Sequence, residues 1–330
     1  MIPGAASVPA VPGVPGVPPP PPSPHSPAEI PGTASVAAAR GQKVTVVVPA
    51  RDERPTIGAA VHELKAALKD GLLEGEVVVV DDGSTDGTGD AARIHGARVI
   101  THPRPRGYGA CVRAGVEAAA NDVIAVIDAD GTYPLREVPR LVGHIGTHLM
   151  VVGVRPGGDD GSVLARRLAR RALGRLASFL ADRDIPDATS GMRVFRREAF
   201  RAYGHLLPRR QGLTTFLTLA LLADERAVAF VPIHSSPHAS ARKRRPLRDY
   251  ADLAAVGLRA AFLFGPLKVC TGPGTLLFAA GVAKLIIDLA ASEPGVATPA
   301  AVGLLLAGLV VLVAGFVADV AAAAARAPRR

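Results

Sequence analysis

Between Lys43 and Val154 the apolar residues come in short unmixed runs, and most of these runs end in charged residues. Val77–Val80 is four consecutive valines, β-branched and apolar on every side. Such a run predicts a strand covered on both faces, the inner strand of a parallel sheet. It stops at Asp81-Asp82-Gly83, after which Ser84, Thr85 and Asp86 offer N-caps for a helix over Thr88–Ala97. Lys43–Val48 predicts a first strand, closed by Pro49-Ala50-Arg51-Asp52-Glu53. Helical periodicity then covers Thr56–Asp70, with Gly71 as its stop. Further along come a short strand at Ala97–Thr101, a basic glycine-containing loop at Arg104–Tyr108 and a small-residue helix at Gly109–Ala120. Asn121–Asp130 predicts another buried strand ending in two carboxylates, and Leu149–Val154 a strand ending at Arg155. Alternation this regular predicts a parallel sheet with helices on both faces.

The pattern changes in the C-terminal half. Ser162–Leu180 carries Arg166, Arg167, Arg170, Arg171 and Arg175, with Leu164, Leu168, Leu176 and Phe179 on one helical side. A basic amphipathic helix of this kind is either a solvated surface or an interfacial element at a membrane. Gly272–Ala291 and Pro299–Val320 are each apolar for about 20 residues, the length that spans a hydrocarbon core. Lys284 and Asp288 sit four apart in the first and can pair, and Asp319 falls near the end of the second. A pair of buried soluble helices is the alternative. The short connection carries Glu293 and no Lys or Arg, whereas Arg242–Arg245, Arg248, Arg259 and Lys268 precede the spans and Arg326, Arg329 and Arg330 follow them. That asymmetry predicts a hairpin with both outer ends, and the large domain, on the cytoplasmic side.

Composition sharpens this organisation. Aromatic residues are 4% of the 330 and Trp is absent, so the core must be built from Ala, Val and Leu. Mean hydropathy is +0.26 despite 20% charged residues, which localises the apolar content in segments. Residues 1–39 are Pro, Gly, Ala and Val with almost no charge, the composition of a disordered or polyproline-II tail rather than a signal peptide. The net charge of +9 is largely clustered arginine, suited to anionic lipid, phosphorylated substrate or nucleic acid. The apolar hairpin argues against nucleic acid. The two cysteines, Cys111 and Cys270, are far apart and outside metal-ligand spacing, so reduced thiols are expected. The expected organisation is a tail over residues 1–40, a catalytic domain over 41–245 and a juxtamembrane interfacial segment over 246–268. Two transmembrane helices over 269–322 and a basic cytoplasmic tail over 323–330 complete it.

Ligands of open α/β sheets bind outside the carboxyl ends of the strands, where Asp81-Asp82 and Asp128-Ala-Asp130 both fall. Paired carboxylates there suit ribose hydroxyls, the donor edge of a base, or a divalent cation carrying phosphate. Gly107-Tyr-Gly109 does not make a Rossmann fingerprint, because it lies in a proline-containing loop rather than directly after the first strand. His102, His234 and His238 show no ligand spacing and read as solvent-exposed loop histidines.

PARDE at Pro49–Glu53, VDDGSTDGT at Val80–Thr88, RGYGACVRAG at Arg106–Gly115 and DADGTYP at Asp128–Pro134 resemble glycosyltransferase family 2. IPDATSGMRVFRREAF at Ile185–Phe200, RKRRPLRDY at Arg242–Tyr250 and GPLKV at Gly265–Val269 resemble its dolichol- or polyprenyl-phosphate mannosyltransferase branch, in the bacterial membrane-anchored form. The resemblance implies a GT-A-type α/β domain with a mostly parallel sheet, followed by a two-helix transmembrane hairpin. It implies Mg²⁺ or Mn²⁺ on Asp128 and Asp130, and a nucleotide-sugar held by Pro49, Ala50, Glu53, Asp82, Asp128 and Lys243. It also implies an acceptor phosphate on Arg155, Ser190 and Arg193, with Asp128, Asp130, Arg155 and Arg193 as the catalytic set. Thr132 stands where such enzymes often carry Gln, Gly191 where glucosyl and aminoarabinosyl relatives carry an acid, and His238 and Arg242 where the relatives have Arg and Ser. The expected reaction is inverting transfer of one sugar, from a donor of GDP-mannose or UDP-hexose type, to a polyprenyl phosphate at the cytoplasmic face of a bilayer. The alternatives are another lipid or glycan acceptor, or a silent nucleotide-binding scaffold, against which intact Asp82, Asp128 and Asp130 argue. Self-association is left open.

Overall fold

A computed structural model describes residues 36–129, 131, 133–146, 148–155, 172, 174–179, 181–182, 184–187, 189–208, 212–233, 247–291 and 298–326. Seven strands form one sheet: β1 (Lys43–Ala50), β2 (Glu74–Asp81), β3 (Arg98–Thr101), β4 (Val123–Val126), β5 (Met150–Val154), β6 (Arg193–Arg196) and β7 (Val228–Pro232). Their order is β3-β2-β1-β4-β6-β5-β7. All run parallel except β6, which is antiparallel to both its neighbours. The chain moves outward from β1 through β2 to β3 and then returns to the other side of β1 at β4. A crevice for ligand therefore opens at the carboxyl ends of β1 and β4, where the direction of winding reverses.

The valine run behaves as its composition demands. Val77 and Val79 face one core, with Val46, Val48, Ile57, Val61 and Leu64, while Val78 and Val80 face the other, with Val47, Val112, Val126 and Phe195. Helices α1 (Arg54–Asp70), α2 (Thr88–Ile94) and α4 (Val138–Gly143) serve the first face, and α3 (Tyr108–Ala118) the second. α1 begins two residues before the predicted Thr56 because Pro55 fits a first helical turn. α3 lies close on β1, since a Cβ at Gly115 would overlap the Val47 side chain.

The predicted run of parallel strands omitted two elements. β6 is only Arg-Val-Phe-Arg, too short to show a period, and β7 is Val-Ala-Phe-Val-Pro. Between them lie α5 (Arg197–Tyr203) and α6 (Leu213–Ala223), the latter buried along ten of its eleven residues. β4 is also shorter than the predicted Asn121–Asp130, pairing only over Val123–Val126. The arginines at 166, 167, 170 and 171 lie outside the described residues, and residues 174–179 are helical.

α7 (Leu247–Phe264) packs Val256, Ala260, Ala261 and Phe264 inward, and the Phe264 ring meets that of Phe216 at 5.4 Å. After Gly265 the chain enters α8 (Pro266–Ala291), and α9 (Pro299–Arg326) returns beside it. Both are long and apolar enough to cross a membrane. They are longer than the predicted 272–291 and 299–320, and α8 carries Pro273 inside it. Glycines bring them together: a Cβ at Gly308 would overlap the Phe278 backbone, one at Gly281 the Leu305 amide, and one at Gly315 the Cys270 side chain. The large apolar side chains point outward, with Leu276 73% and Val310 64% exposed. Asp288 is buried, paired with Lys284 as predicted and accepting from Thr298 at the start of α9.

Phe195 is fully buried on β6 and stacks on Phe200 with centroids 6.3 Å apart. Phe195→Ala should therefore lower stability by about 3–5 kcal/mol. The drop would be measured in the unfolding midpoint, and a change under about 1 kcal/mol would mean that β6 does not pin the sheet.

Candidate active site

The loops after β1 and β2 are bound to one another. Asp52 holds a left-handed backbone (φ 50°), donates its N–H to Ser84 Oγ at 3.0 Å, and accepts the Thr85 N–H at Oδ1 at 3.0 Å. The Glu53 amide donates to Thr88 Oγ1 at 2.9 Å, and the Arg54 amide donates to Asp86 Oδ2 at 3.0 Å. Glu53 itself accepts from Thr56 Oγ1 at 3.2 Å. The predicted N-caps Ser84, Thr85 and Asp86 thus reach across to the β1 loop, and the N-cap of α2 is Gly87 at φ 86°. Pro49 and Ala50 pair with Val80 and Asp81, so the two loops leave the sheet at the same level.

Asp82 follows directly and is 5% exposed. Its Oδ1 accepts from the Arg106 amide at 2.8 Å and from His102 Nδ1 at 3.0 Å, and its Oδ2 accepts from the Gly107 amide at 2.8 Å. Burial alone would raise this carboxyl, but the three N–H bonds outweigh it and hold the group below its ordinary value, hence ionised. His102 is buried at 5% exposure, which corrects the expectation of a solvated loop histidine. Cys111 completes the cluster, and burial, with Asp82 and Asp81 nearby, pushes its thiol far above its ordinary value. The ligand atoms of Asp82, His102 and Cys111 lie within 4.8 Å of one another, a proximity that spacing along the chain does not reveal. A thiol and an imidazole are poor ligands for Mg²⁺, and the carboxylate already serves three N–H groups.

The second half of the site comes from the lead-in to β6. Because β6 runs against β4 and β5, Asp187–Met192 arrives at the carboxyl ends of both. Arg155, after β5, donates to Asp187 through Nε at 2.8 Å and Nη2 at 3.1 Å, and to Thr189 Oγ1 at 3.1 Å. Burial works to raise Asp187, yet the Arg155 bonds and charge, with Thr189, leave it below its ordinary value. Asp128, after β4, is partly buried, and a Cβ on Gly191 would overlap its carboxylate. Tyr133 Oη accepts the Gly191 N–H at 2.5 Å, and its ring lies 5.7 Å from the Arg155 guanidinium. Arg193 is 1% exposed and donates to Thr214 and Thr215 on α6. Burial opposes its charge, while Tyr108, Asp187, Tyr133 and Asp128 favour it. Ser190 is buried at 1% exposure, and its Oγ accepts the Met192 N–H at 3.2 Å.

Pro49, Ala50, Glu53 and Asp82 are thus gathered on one side of the crevice, and Asp128, Arg155, Ser190 and Arg193 on the other. Asp130, Thr132 and Lys243 lie outside the described residues, as do His234, His238 and Arg242. Sequence reasoning missed Asp187, Tyr133 and His102. Asp187-x-Thr189 carries a local signal, the turn in which Asp187 Oδ1 accepts the Thr189 N–H at 3.0 Å. The other two are buried polar contacts made across loops and carry none.

A sheet of this order, with acids at the winding reversal and an antiparallel insertion that brings arginines beside them, defines a GT-A-type glycosyltransferase. Residues 45–204 match the profile of glycosyl transferase family 2. The dolichyl-phosphate hexose transferase of Haloferax volcanii is 34% identical over 220 residues, 65% of this chain and 90% of the relative. The chain belongs to glycosyl transferase family 2, and it is a glycosyltransferase. The undecaprenyl-phosphate 4-deoxy-4-formamido-L-arabinose transferase of Enterobacter sp. is 29% identical, over 58% of this chain and 59% of its own. Among solved structures, glucosyl-3-phosphoglycerate synthase of Mycobacterium tuberculosis, in complex with Mn²⁺, UDP-glucose and phosphoglyceric acid, superposes with TM-score 0.53. It is 28% identical, and the match covers 68% of this chain and 82% of that one.

A lowered Asp187 contributes stability that is complete above its unfolded value, about 4, and is lost as pH falls through the native value. Unfolding midpoints measured between about pH 3 and 6 should show this acid limb, and Asp187→Asn should flatten it and lower stability at neutral pH. An unchanged limb in that variant would place the acid sensitivity elsewhere.

Proposed function

We propose that this glycosyltransferase moves one sugar, with inversion, from a nucleotide-sugar to a polyprenyl phosphate at the cytoplasmic face of a membrane. The observation that carries the reading is the contact between Gly191 and the Asp128 carboxylate. It sets the segment bearing Ser190 and Arg193, with Arg155 beside it, directly against the acid after β4. Pro49, Ala50, Glu53, Asp82 and Lys243 form the nucleoside and diphosphate side of this proposal, and Asp128 and Asp130 its metal pair.

The donor set fits a hard divalent cation. Two carboxylates two residues apart, past the end of a strand, supply oxygen ligands of the kind Mg²⁺ and Mn²⁺ take. When bound, the cation neutralises the diphosphate leaving group. The residues of the chain do the rest. A lipid phosphate is anionic at neutral pH and attacks the anomeric carbon without a general base. Its oxygen forms the new bond to that carbon as the bond to the diphosphate breaks, and the electron pair leaves with the nucleoside diphosphate. One displacement inverts the configuration. Arg155 and Arg193 provide the positive potential that holds the incoming phosphate, and buried Ser190 on the same segment offers a hydroxyl ligand. Small acidic acceptors would suit the same arginines, but the outward-facing apolar side chains of α8 and α9 favour an acceptor that resides in a bilayer. The names of the Haloferax and Enterobacter relatives support the same acceptor class.

Membranes containing the protein, given a panel of labelled nucleotide-sugars and short polyprenyl phosphates, should yield a lipid-linked monosaccharide. Asp130→Asn should abolish transfer with the domain folded, and EDTA should do the same. Full activity under either treatment would remove the metal from the reaction.

Removing residues 272–330 should leave nucleotide binding intact and reduce transfer to long-chain acceptors in bilayers far more than to short soluble ones. Full-length rates on bilayer acceptors by the truncated protein would take the hairpin out of catalysis.

A further inference from the structure

Tyr133 stands between β4 and α4, and its side chain reaches from there to the segment that leads into β6. The ring is 6% exposed and belongs to the core that Leu135, Val138, Leu141 and Met192 help to build. A ring gripped by a core has little torsional freedom, so the groups it touches at its outer end are held in place.

Two parts of the proposed acceptor seat depend on it. Tyr133 Oη accepts the Gly191 N–H at 2.5 Å, and a Cβ on Gly191 would overlap the Tyr133 ring as well as the Asp128 carboxylate. The backbone between Ser190 and Arg193 is therefore fixed from the β4 side by one hydrogen bond and one close contact. The Arg155 guanidinium lies over the same ring, 5.7 Å from its centroid. A guanidinium over a ring keeps its N–H groups in its own plane, where oxygen acceptors reach them. Asp187 and Thr189 accept from it there. Arg155 is thus held across its face by Tyr133 and along its edge by the segment that Tyr133 also grips. Arg193 takes its support from α6, through Thr214 and Thr215.

We infer that Tyr133 is a positioning residue for the acceptor phosphate, carrying Gly191 on its hydroxyl and Arg155 on its ring and so fixing the Ser190 segment and the Arg155 cation relative to one another. The inference rests on the polyprenyl-phosphate reading above. It adds the residue that ties the proposed seat to the stretch bearing Asp128. Tyr133 acts through Gly191 and Arg155 and is assigned no contact with a reacting atom.

Calorimetric titration of the full-length protein in detergent with farnesyl phosphate tests this without any transfer step. Farnesol, which lacks the phosphate, and UDP and GDP with Mn²⁺ serve as controls. Tyr133→Phe keeps the ring and removes the acceptor of the Gly191 N–H, and should weaken farnesyl phosphate by about fivefold. Farnesol and nucleotide affinities should stay within about twofold of wild type in that variant, a split that a purely structural tyrosine would not produce. Tyr133→Leu removes the face beneath Arg155 as well and should cost farnesyl phosphate about another threefold. Unchanged farnesyl phosphate affinity in folded Tyr133→Phe overturns the inference, as does an equal loss for farnesol or for the nucleotides. If the leucine variant does not fold, the phenylalanine variant decides. A wild type that binds nucleotide but not farnesyl phosphate overturns the acceptor reading itself, and the inference with it.

Discussion

A strand of four valines buried on both faces cannot shift along its neighbours without drawing charge into the core. Val77–Val80 are all under 5% exposed, and Asp81 follows at once. Moving the strand inward by one residue would carry the Asp81 carboxylate into the apolar layer and away from the Ser84 amide that it accepts at 2.9 Å. A buried polar group stripped of its partner costs several kcal/mol, more than any single packing contact nearby returns. The register with β1 is therefore fixed, and with it the level at which Pro49-Ala50 and Asp82 leave the sheet. The cross-loop bonds from Asp52, Glu53 and Arg54 can form only at that level.

The second constraint is the direction of β6. Had it run parallel, its carboxyl end would have carried the segment after Arg196 to the crevice, and Asp187–Met192 would have fallen at the opposite edge. Running antiparallel between β4 and β5, it pairs Arg193 with both Val126 and Val152. Two residues beyond the pairing with Val126, Asp128 on the β4 side comes opposite Gly191 on the β6 side. The glycine is required there, since any side chain would overlap the carboxylate. An acid at this position would face Asp128 directly, and the backbone around it would have to differ.

Much of this was legible in the residues. Runs such as Val77–Val80 and Ile124–Ile127 announce themselves because full burial requires unmixed apolar composition, and the acids at their ends mark the ligand edge. The position of Asp128 beside Ser190 and Arg193 was legible only through family resemblance. Their meeting depends on β6, whose four residues Arg-Val-Phe-Arg are too few to show a period. His102 was misread for a related reason. A histidine in a proline-rich loop looks solvated along the chain, but Asp82 draws the loop inward through two backbone amides and takes the imidazole with it. Of the caps read before α2, Asp86 accepts the Thr88 N–H at 3.0 Å while also holding the Arg54 amide, whereas the Ser84 hydroxyl serves the Asp52 amide of the β1 loop, since Asx and hydroxyl side chains serve any nearby N–H.

The hairpin in turn fixes where the crevice stands. One residue, Gly265, separates α7 from α8, so no flexible linker intervenes between the catalytic body and the apolar pair. α7 is packed to α6 through Phe264 on Phe216, and α6 supplies Thr214 to Arg193. Lys268, in the first turn of α8, pairs with Asp182, five residues before Asp187 of the proposed acceptor segment. If the apolar pair spans a bilayer, the arginines are held at a set height above it by packed helices rather than by diffusion on a tether. A polyprenyl phosphate has its reactive oxygen at a set height as well, because its chain cannot leave the hydrocarbon. With a polyprenyl phosphate as the proposed acceptor and the pair in a bilayer, two reactants each fixed in depth would need only to meet in the plane of the membrane, in an orientation set by the packed helices.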